Sequence, residues 1–445
     1  MTDLLSIGAS GVRAYASALQ VVGDNIANAQ TPGYARRNAR IAEPPTGGDI
    51  FPYRALVAAP GVTVTGIGRA TDGWLVEDAR TAGADSARTS TRLNWLEGVE
   101  RVLDDGGNGV GKSLTAFYNR ADELAADPSS GPRRTAFLQS ADDVASAFRR
   151  TATGLSSLAD ATAQAGAAGV TALNNDLTAL ERVNDGLRRA REGSASQASL
   201  LDERDRLLDS IAATLPVDVT YEAKGSAVLT LAGGQTLLSG ADRGVVSVAA
   251  ATDGRLSFTL ASAAGTASFV PSGGALGGFA DAANHIADQR QSLDTLADSV
   301  AAQLNAQHMA GRDASGNAGL ALFTTGAGAA GMVAAGLTSG QVAAADGSSA
   351  NGNALAFGNL RGPGSGEASW ATLVAQQSQV VASTRAQDSA ATTRRDGAAS
   401  ARDAVSGVDL DREAGELIRL QQAYEASARI LQVARETMQS IFNVL

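Results

Sequence analysis

The chain has 445 residues, enough for about two to four domains and a sizeable hydrophobic core. It carries 36 basic and 46 acidic residues and a net charge of −10, so its composition supplies no basic face for neutralising nucleic-acid phosphates. The absence of cysteine excludes disulfides, thiol nucleophiles and cysteine–zinc sites, and two histidines leave little material for histidine-dependent catalysis.

Two kinds of membrane-directed segment are not expected from this sequence. The sequence contains no run of 18 or more apolar residues, so it predicts no membrane-spanning helix. The first residues also lack the unbroken apolar run of a secretion signal, because Ser6, Gly8, Ser10 and Arg13 interrupt it. We therefore expect no membrane association and no cleaved signal peptide.

Residues 4–29 have the pattern of an amphipathic helix. Apolar side chains recur every seven residues and are accompanied by a second apolar line three places later, as in the seam of a coiled coil. The first line consists of Leu5, Val12, Leu19 and Ile26. Small residues flank this line at Gly8, Ala9, Ala16 and Gly23. They predict that another helix approaches closely.

The end of this helix is marked by a turn signal. Pro32 cannot continue a helix and favours an extended conformation at Thr31. Pro32 and Gly33 suit the two central positions of a type II turn. The residues that define this signature turn are Asn25, Asn28, Thr31, Pro32, Gly33 and Tyr34.

The interior of the chain is predicted to be mainly helical. Helical patterns cover residues 70–103, 113–127, 133–160, 169–213 and 274–308. Alternating apolar and polar residues, separated by glycine-rich turns, predict strands at 217–221, 227–231, 245–248 and 256–260. We therefore assign 36–215 and 273–404 to a long helical-bundle body and 216–272 to an inserted small β domain.

The C-terminal segment repeats the pattern of the N-terminal one. Six consecutive heptad positions are occupied by Leu410, Leu417, Tyr424, Leu431, Met438 and Leu445. Asp409, Asp411 and Glu413 lie near the start, where carboxylates favour the positive end of the helix dipole, and we interpret them as a solvated helix start. The predicted fold is mainly α, with residues 1–35 and 405–445 pairing as an axial coiled coil. Two thin helices leave much apolar surface uncovered, so we expect neighbouring subunits to order them.

Three motifs with possible chemistry are better explained as structure. Residues 106–113 match the Walker A pattern, but a helix rather than the required strand precedes them. Residues 312–317 hint at a calcium loop but lack the required glycine and glutamate, which favours a polar turn. His285 and His308 have no histidine partner and suit helix-surface or capping roles. We predict no catalytic, metal-binding or cofactor-binding residue.

Both ends of the chain carry a family resemblance. The segment Asp24-Asn-Ile-Ala-Asn-Ala-Gln-Thr-Pro-Gly-Tyr34 resembles the N-terminal signature of bacterial flagellar axial proteins, which include rod, hook and hook-associated proteins. Residues 406–413 and 420–430 resemble their C-terminal signature. The helix from 274 and the loop after it resemble the family of hook-associated protein 1 (FlgK). This resemblance covers 1–323 and 351–445, and the Gly/Ala-rich loop 324–350 stands where many members carry a further outer domain.

The resemblance implies a structural component of the bacterial flagellum that joins hook to filament. It implies a ring of subunits with hook protein on one side and hook-associated protein 3 on the other. It further implies export by the flagellar type III apparatus, a chaperone on the C-terminal helix, and a final location outside the cell. The heptad residues and the signature turn would form the axial assembly interface.

Three alternatives remain open from the sequence. A hook or distal-rod subunit would have a mainly β interior. A P-loop nucleotide-binding protein would have a strand leading into Gly106. A secreted effector would use its terminal coiled coil for dimerisation.

Overall fold

The structure is a computed structural model that describes residues 2–43, 61–104, 106–107, 109–324 and 328–442. The helices are α1 (Thr2–Ala27), α2 (Gly73–Val102), α3 (Val110–Ala126), α4 (Gly131–Arg189), α5 (Ala195–Thr214), α6 (Gly274–Ala310), α7 (Gly352–Ala356), α8 (Gly366–Ser406) and α9 (Leu410–Phe442). The strands are β1 (Arg37–Ala42), β2 (Thr63–Arg69), β3 (Asp218–Tyr221), β4 (Ala227–Thr230), β5 (Thr236–Ser239), β6 (Asp242–Arg243), β7 (Val245–Ala250), β8 (Leu256–Ser262), β9 (Gly265–Phe269), β10 (Phe323–Thr324) and β11 (Val333–Ala334). The predicted class, mainly α with a small β insertion, is confirmed.

The strands form small antiparallel sheets. β1 pairs with β2 and β10 with β11, while β3-β4-β5-β6 and β7-β8-β9 form two consecutive meanders within the predicted insertion. These meanders do not have a core to themselves, because Leu229 and Phe258 share one apolar cluster with Leu173, Leu208 and Leu276 of the helices. The limits 216 and 272 of a separate domain therefore remain a prediction.

One long helix replaces two predicted ones. The sequence predicts helices over 133–160 and 169–213, but α4 runs without interruption through Gly166 and Gly169 to residue 189. These glycines lie against Leu256, Leu276 and Phe279, so tertiary packing offsets their low helix propensity. The break falls instead at Gly193, whose φ of +71° suits glycine, and Ser194 then caps α5 by accepting the Gln197 N–H.

The prediction of a helical body from residue 36 is wrong at its beginning. Residues 37–42 and 63–69 form the antiparallel pair β1–β2, in which Arg37 lies opposite Arg69. Alternating residues in Thr63–Arg69 fit a half-buried strand, and the Ile67 N–H donates to the Gly193 carbonyl at 2.8 Å. The strand pair therefore lies against the start of α5.

Asparagines on helices fasten the strands to the helical body. Each asparagine binds one strand residue twice. Its Nδ2 donates to the carbonyl of that residue and its Oδ1 accepts the N–H of the same residue, at distances of 2.8–3.0 Å. The pairs are Asn25 with Arg37, Asn174 with Val246, Asn184 with Ala227, and Asn305 with Phe323. A primary amide has one donor group and one acceptor group, as a peptide group has. Each asparagine therefore provides hydrogen-bond partners for the backbone N–H and carbonyl on the side of the strand residue that does not pair with another described strand.

His308, near the end of α6, hydrogen-bonds to the segments that follow this helix. A helix-surface role is wrong for this residue, because its side chain is fully buried and its ring stacks on Phe137. Nδ1 donates to the Leu320 carbonyl at 2.5 Å and Nε2 accepts the Ala343 N–H at 2.9 Å, so the ring is neutral. Burial lowers the His308 pKa, against a smaller opposing effect of the Leu320 carbonyl.

The lowered pKa of His308 predicts acid sensitivity. Unfolded histidine has a pKa near 6.5, so the unfolded chain binds more protons than the folded one below about pH 6.5. We expect the free energy of unfolding to fall as the pH drops from 7 to 5, measured by urea denaturation. His308→Gln, which keeps a donor and an acceptor, should show a shallower pH dependence. An equal slope in both proteins would contradict the assignment.

The remaining motif segments are structural. α2 leads to Gly106 and Gly109 caps α3, so the expected helix before the Walker-like segment is confirmed; Asn108 of that segment lies outside the described residues. The Asp313 carboxylate accepts the N–H groups of Ser315 and Asn317, as in a polar turn, and these bonds lower its pKa. In the described part of the chain, no helix is both long and apolar enough to span a bilayer.

Candidate assembly interface

The first and last helices pack against each other along their length. Glycines on α1 permit this, because a β-carbon at Gly8 would lie 2.8 Å from Leu431 Cγ and one at Gly11 would lie 2.5 Å from Ser427 Oγ. A small apolar cluster lies further along the contact; we call it the terminal cluster, and its buried members are Ala18, Val22 and Leu420. The expected pairing of the two ends is confirmed, and Gly8 is one of the predicted small contact residues. Gly23 was predicted to be another, but it makes no such contact, since no described residue packs within 4 Å of its β-carbon position.

The predicted heptad positions flank the buried seam of this pair. Along α9 the buried line is Glu413, Leu420, Ser427 and Ala434, which is the second line of the predicted seam, three places after the line of Leu410, Leu417 and Tyr424. Half-buried positions are Leu5, Val12, Leu19, Leu417, Leu431 and Met438. Exposed positions are Ile26, Leu410 and Tyr424, while Leu445 lies outside the described residues. On α1 glycines occupy the line of closest approach, so the larger side chains lie beside it.

The signature turn forms as the sequence predicts. Gly33 has φ +78°, and the Tyr34 N–H donates to the Thr31 carbonyl at 3.1 Å, which is the pattern of a type II turn. Asn28 Oδ1 accepts the Thr31 hydroxyl at 3.2 Å. The turn reverses the chain, so that β1 returns alongside α1 and reaches Asn25.

A buried polar network joins the two signatures. Asn25 and Glu413 are each fully buried, and Asn25 Nδ2 donates to Glu413 Oε2 at 3.0 Å. Asn25 Oδ1 accepts the Tyr34 hydroxyl at 2.8 Å, and Arg36 Nε donates to Glu413 Oε1 at 2.6 Å. Residues 388 positions apart are thus directly bonded, and every side-chain polar atom of Asn25 and Glu413 has a partner.

The interpretation of Glu413 as part of a solvated helix start is wrong. Asp409 caps α9 by accepting the N–H groups of Asp411 and Arg412, and Asp411 is exposed as expected. Glu413 instead points inward, where Arg36 and Asn25 compensate its charge. A buried carboxylate is stable only with such partners.

Tyr34 is held as a hydrogen-bond donor. Burial is the main cause that raises its pKa to about 12, partly opposed by the positive charge of Arg37. The Arg37 guanidinium lies 4.8 Å from the centre of the ring. The phenol therefore keeps its proton at neutral pH and continues to donate to Asn25.

Large apolar side chains remain exposed along α9, outside its buried seam with α1. Leu410, Ile418 and Val433 are 52%, 56% and 59% exposed, and Ile430 also lies at the surface. These side chains give α9 apolar surface that it could bury against another protein. Among the described residues, no group of three or more acidic or histidine side chains is arranged to hold a metal ion.

Sequence reasoning missed the residues that join the two ends. Asn25 and Tyr34 were part of the signature turn, but their bonds to Glu413 and to each other were not predicted. Arg36 was not singled out at all. The only local signal was an acidic residue one heptad before Leu420 on the buried line.

Comparison with known families identifies the chain. A model described as the flagellar hook-associated protein FlgK helical domain matches residues 96–323, just over half of the chain. The chain belongs to the FlgK family. Models of the flagellar basal body rod protein and of the C-terminal segment of the FlgE, FlgF and FlgG rod proteins match only the ends, at 5–34 and 401–444.

Individual relatives agree with this FlgK assignment. The flagellar hook-associated protein 1 of Salmonella typhimurium is 28% identical over 339 residues, covering 73% of this chain and 60% of that protein. The Escherichia coli protein of the same name is 26% identical with the same coverage, and that of Bacillus subtilis is 24% identical over 249 residues. The chain thus spans about 60% of the length of the first two relatives.

A solved structure of the flagellar hook junction protein FlgK from Burkholderia pseudomallei is also similar. It has a TM-score of 0.49 and 23% identity, covering 56% of this chain and 46% of that one.

The family and the fold favour a FlgK-type protein over a hook or rod subunit and over a P-loop protein. The long helices of the interior, matched by the FlgK helical domain, are unlike the mainly β interior expected of a hook or rod subunit. A helix rather than a strand precedes Gly106, which contradicts the P-loop alternative.

Proposed function

We propose that this protein is a structural subunit of the bacterial flagellum at the junction of hook and filament. Membership of the FlgK family supports this role, as does the pairing of the two ends of the chain through Asn25 and Glu413. The protein acts by assembly rather than by catalysis. The single observation that carries the proposal is the set of large apolar side chains left exposed along α9, beside a seam that is already filled.

In the proposed mechanism, the exposed apolar side chains of α1 and α9 become fully buried only in the assembled ring. Full burial of a completely exposed large apolar side chain contributes about 1.5–3 kcal/mol, and Leu410, Ile418 and Val433, which are about half exposed, would each gain about half of that. The predicted heptad residues on the flanks of α1 and α9 are the proposed contacts with neighbouring subunits. α9 alone has several such side chains, so a subunit gains stability when neighbours cover it.

The proposed partners follow from the family. Hook protein would lie on one side of the ring and hook-associated protein 3 on the other. A chaperone would cover α9 before export by the flagellar type III apparatus, since its exposed apolar face would otherwise self-associate in the cell. The proposed final location is the flagellum outside the cell.

Binding to the tips of isolated hooks tests this function. We expect the purified protein to bind hook tips, and Leu410→Asp with Val433→Asp to reduce binding at least tenfold, because a new charge would be desolvated at each contact. Gln422→Asp, at an exposed polar position on the same helix, is the matched control. Circular dichroism would verify that all three proteins fold. Unreduced binding by the double variant would exclude the exposed apolar side chains of α9 as the contact.

A further inference from the structure

The terminal helices are joined to the helical body without a shared apolar core. Within the part of the chain that the structure describes, the terminal cluster has no buried member in common with the two clusters of the body. Its partly buried neighbours are residues of α1, α9 and β1. The connection between these parts must therefore depend on other contacts, and these are found around β1, β2 and α5.

The strand pair β1–β2 lies between the two parts and is held from both sides. Asn25 of α1 binds the backbone of Arg37, while Arg37 Nη2 donates to Asp202 of α5 at 2.6 Å. Arg69 on β2 bridges two acidic residues of α5, with Nε at 2.8 Å from Asp202 and Nη2 at 2.8 Å from Asp205. A continuous chain of polar contacts thus runs from Glu413 through Asn25 and Arg37 to α5.

α5 presents three aspartates on one face. Asp202, Asp205 and Asp209 have the i, i+3, i+7 spacing that aligns side chains on a helix, and we call them the acidic ridge. Asp209 accepts from Arg80 of α2 at 3.2 Å and from Arg402 near the end of α8 at 3.3 Å. The ridge therefore faces arginines from β1, β2, α2 and α8.

The contacts between the acidic ridge and the strand pair β1–β2 are well shielded from water. The side chains of Arg37 and Arg69 are 10% and 9% exposed, and that of Asp202 is 13% exposed. The backbones also approach closely there, since a β-carbon at Gly66 would lie 3.1 Å from the Cα of Gly193. Charge-assisted hydrogen bonds depend on direction, so in this setting they fix an angle as well as a distance.

We propose that the acidic ridge of α5 is an electrostatic joint that sets the orientation of the terminal helices relative to the helical body. Asp202 and Asp205, with Arg37 and Arg69, act as positioning residues. With no common apolar core, loss of these ion pairs frees the angle between the two parts while each part keeps its own packing. The proposal does not depend on the proposed function, because it concerns the isolated subunit.

Distance measurements between spin labels test the joint directly. The chain contains no cysteine, so labels can be placed at Gln422→Cys on α9 and Asn175→Cys on α4 without other changes. We expect a single narrow distance distribution in the parent protein. Asp202→Asn combined with Arg69→Gln should roughly double its width, because directional charge-assisted bonds are lost.

Two controls separate orientation from general destabilisation. Glu203→Gln changes a partly exposed residue of α5 whose ion pair is with Arg206 of the same helix, and it should leave the distribution unchanged. Labels at Thr81→Cys and Asn175→Cys report on the body alone. Broadening of the α9–α4 pair with an unchanged body pair supports the joint. Unchanged widths in both pairs, or broadening in both, would overturn it.

Discussion

Glu413→Ala should release α9 from α1 at its N-terminal end. The substitution leaves Arg36 without its carboxylate partner and removes an acceptor from the buried Asn25. Breaking a buried ion pair costs about 3–5 kcal/mol, and we expect about 3 kcal/mol here because Arg36 is partly solvated. Hydrogen exchange of the amides in α1 and α9 should therefore speed up about 100-fold, provided that local opening governs exchange.

Asp411→Ala is the matched control for this experiment. Asp411 lies on the same turn of α9 but is exposed, so exchange should change little, as for most surface substitutions within about 0.5 kcal/mol. Glu413→Gln should fall between the two, since it keeps the size of the side chain but not its charge. Equal protection in Glu413→Ala and Asp411→Ala would show that the network does not hold the helices together.

Gly8→Ala should weaken the same helix pair by a steric effect. The new methyl group would lie 2.8 Å from Leu431 Cγ and 3.1 Å from the Leu431 backbone nitrogen, so α9 must move. Overpacking of this kind costs about 1–3 kcal/mol, which outweighs the gain of roughly 1 kcal/mol when alanine replaces glycine in a helix. Limited proteolysis within 410–442 should accelerate accordingly.

Gly23→Ala on the same helix should stabilise the helix pair, whereas Gly8→Ala should weaken it. No described residue packs within 4 Å of the position that its methyl group would occupy, so only the gain in helix propensity of about 1 kcal/mol remains. Proteolysis should then slow or stay unchanged. Similar behaviour of the two variants would show that close packing at Gly8 does not determine the stability of the pair.

The sequence by itself determined the elements at both ends of the chain. Heptad spacing predicted α1 and α9, and Pro32 with Gly33 predicted the turn between α1 and β1, because these signals act through local geometry. Alternating residues also located several strands of the insertion. Local patterns suffice where the backbone conformation follows from neighbouring residues.

Only the tertiary structure decided where the seam lies and what joins the two ends. The heptad pattern predicted a seam of two lines, but it could not show that Gly8 and Gly11 place the closest contact on the line of Leu420 rather than on that of Leu417. The uninterrupted course of α4 through Gly166 depended on side chains from other elements. The bond between Asn25 and Glu413 joins residues far apart in the chain, and only the fold brings a buried carboxylate to its partners. Such contacts leave no periodic trace in one sequence, since each depends on the element that folds against it.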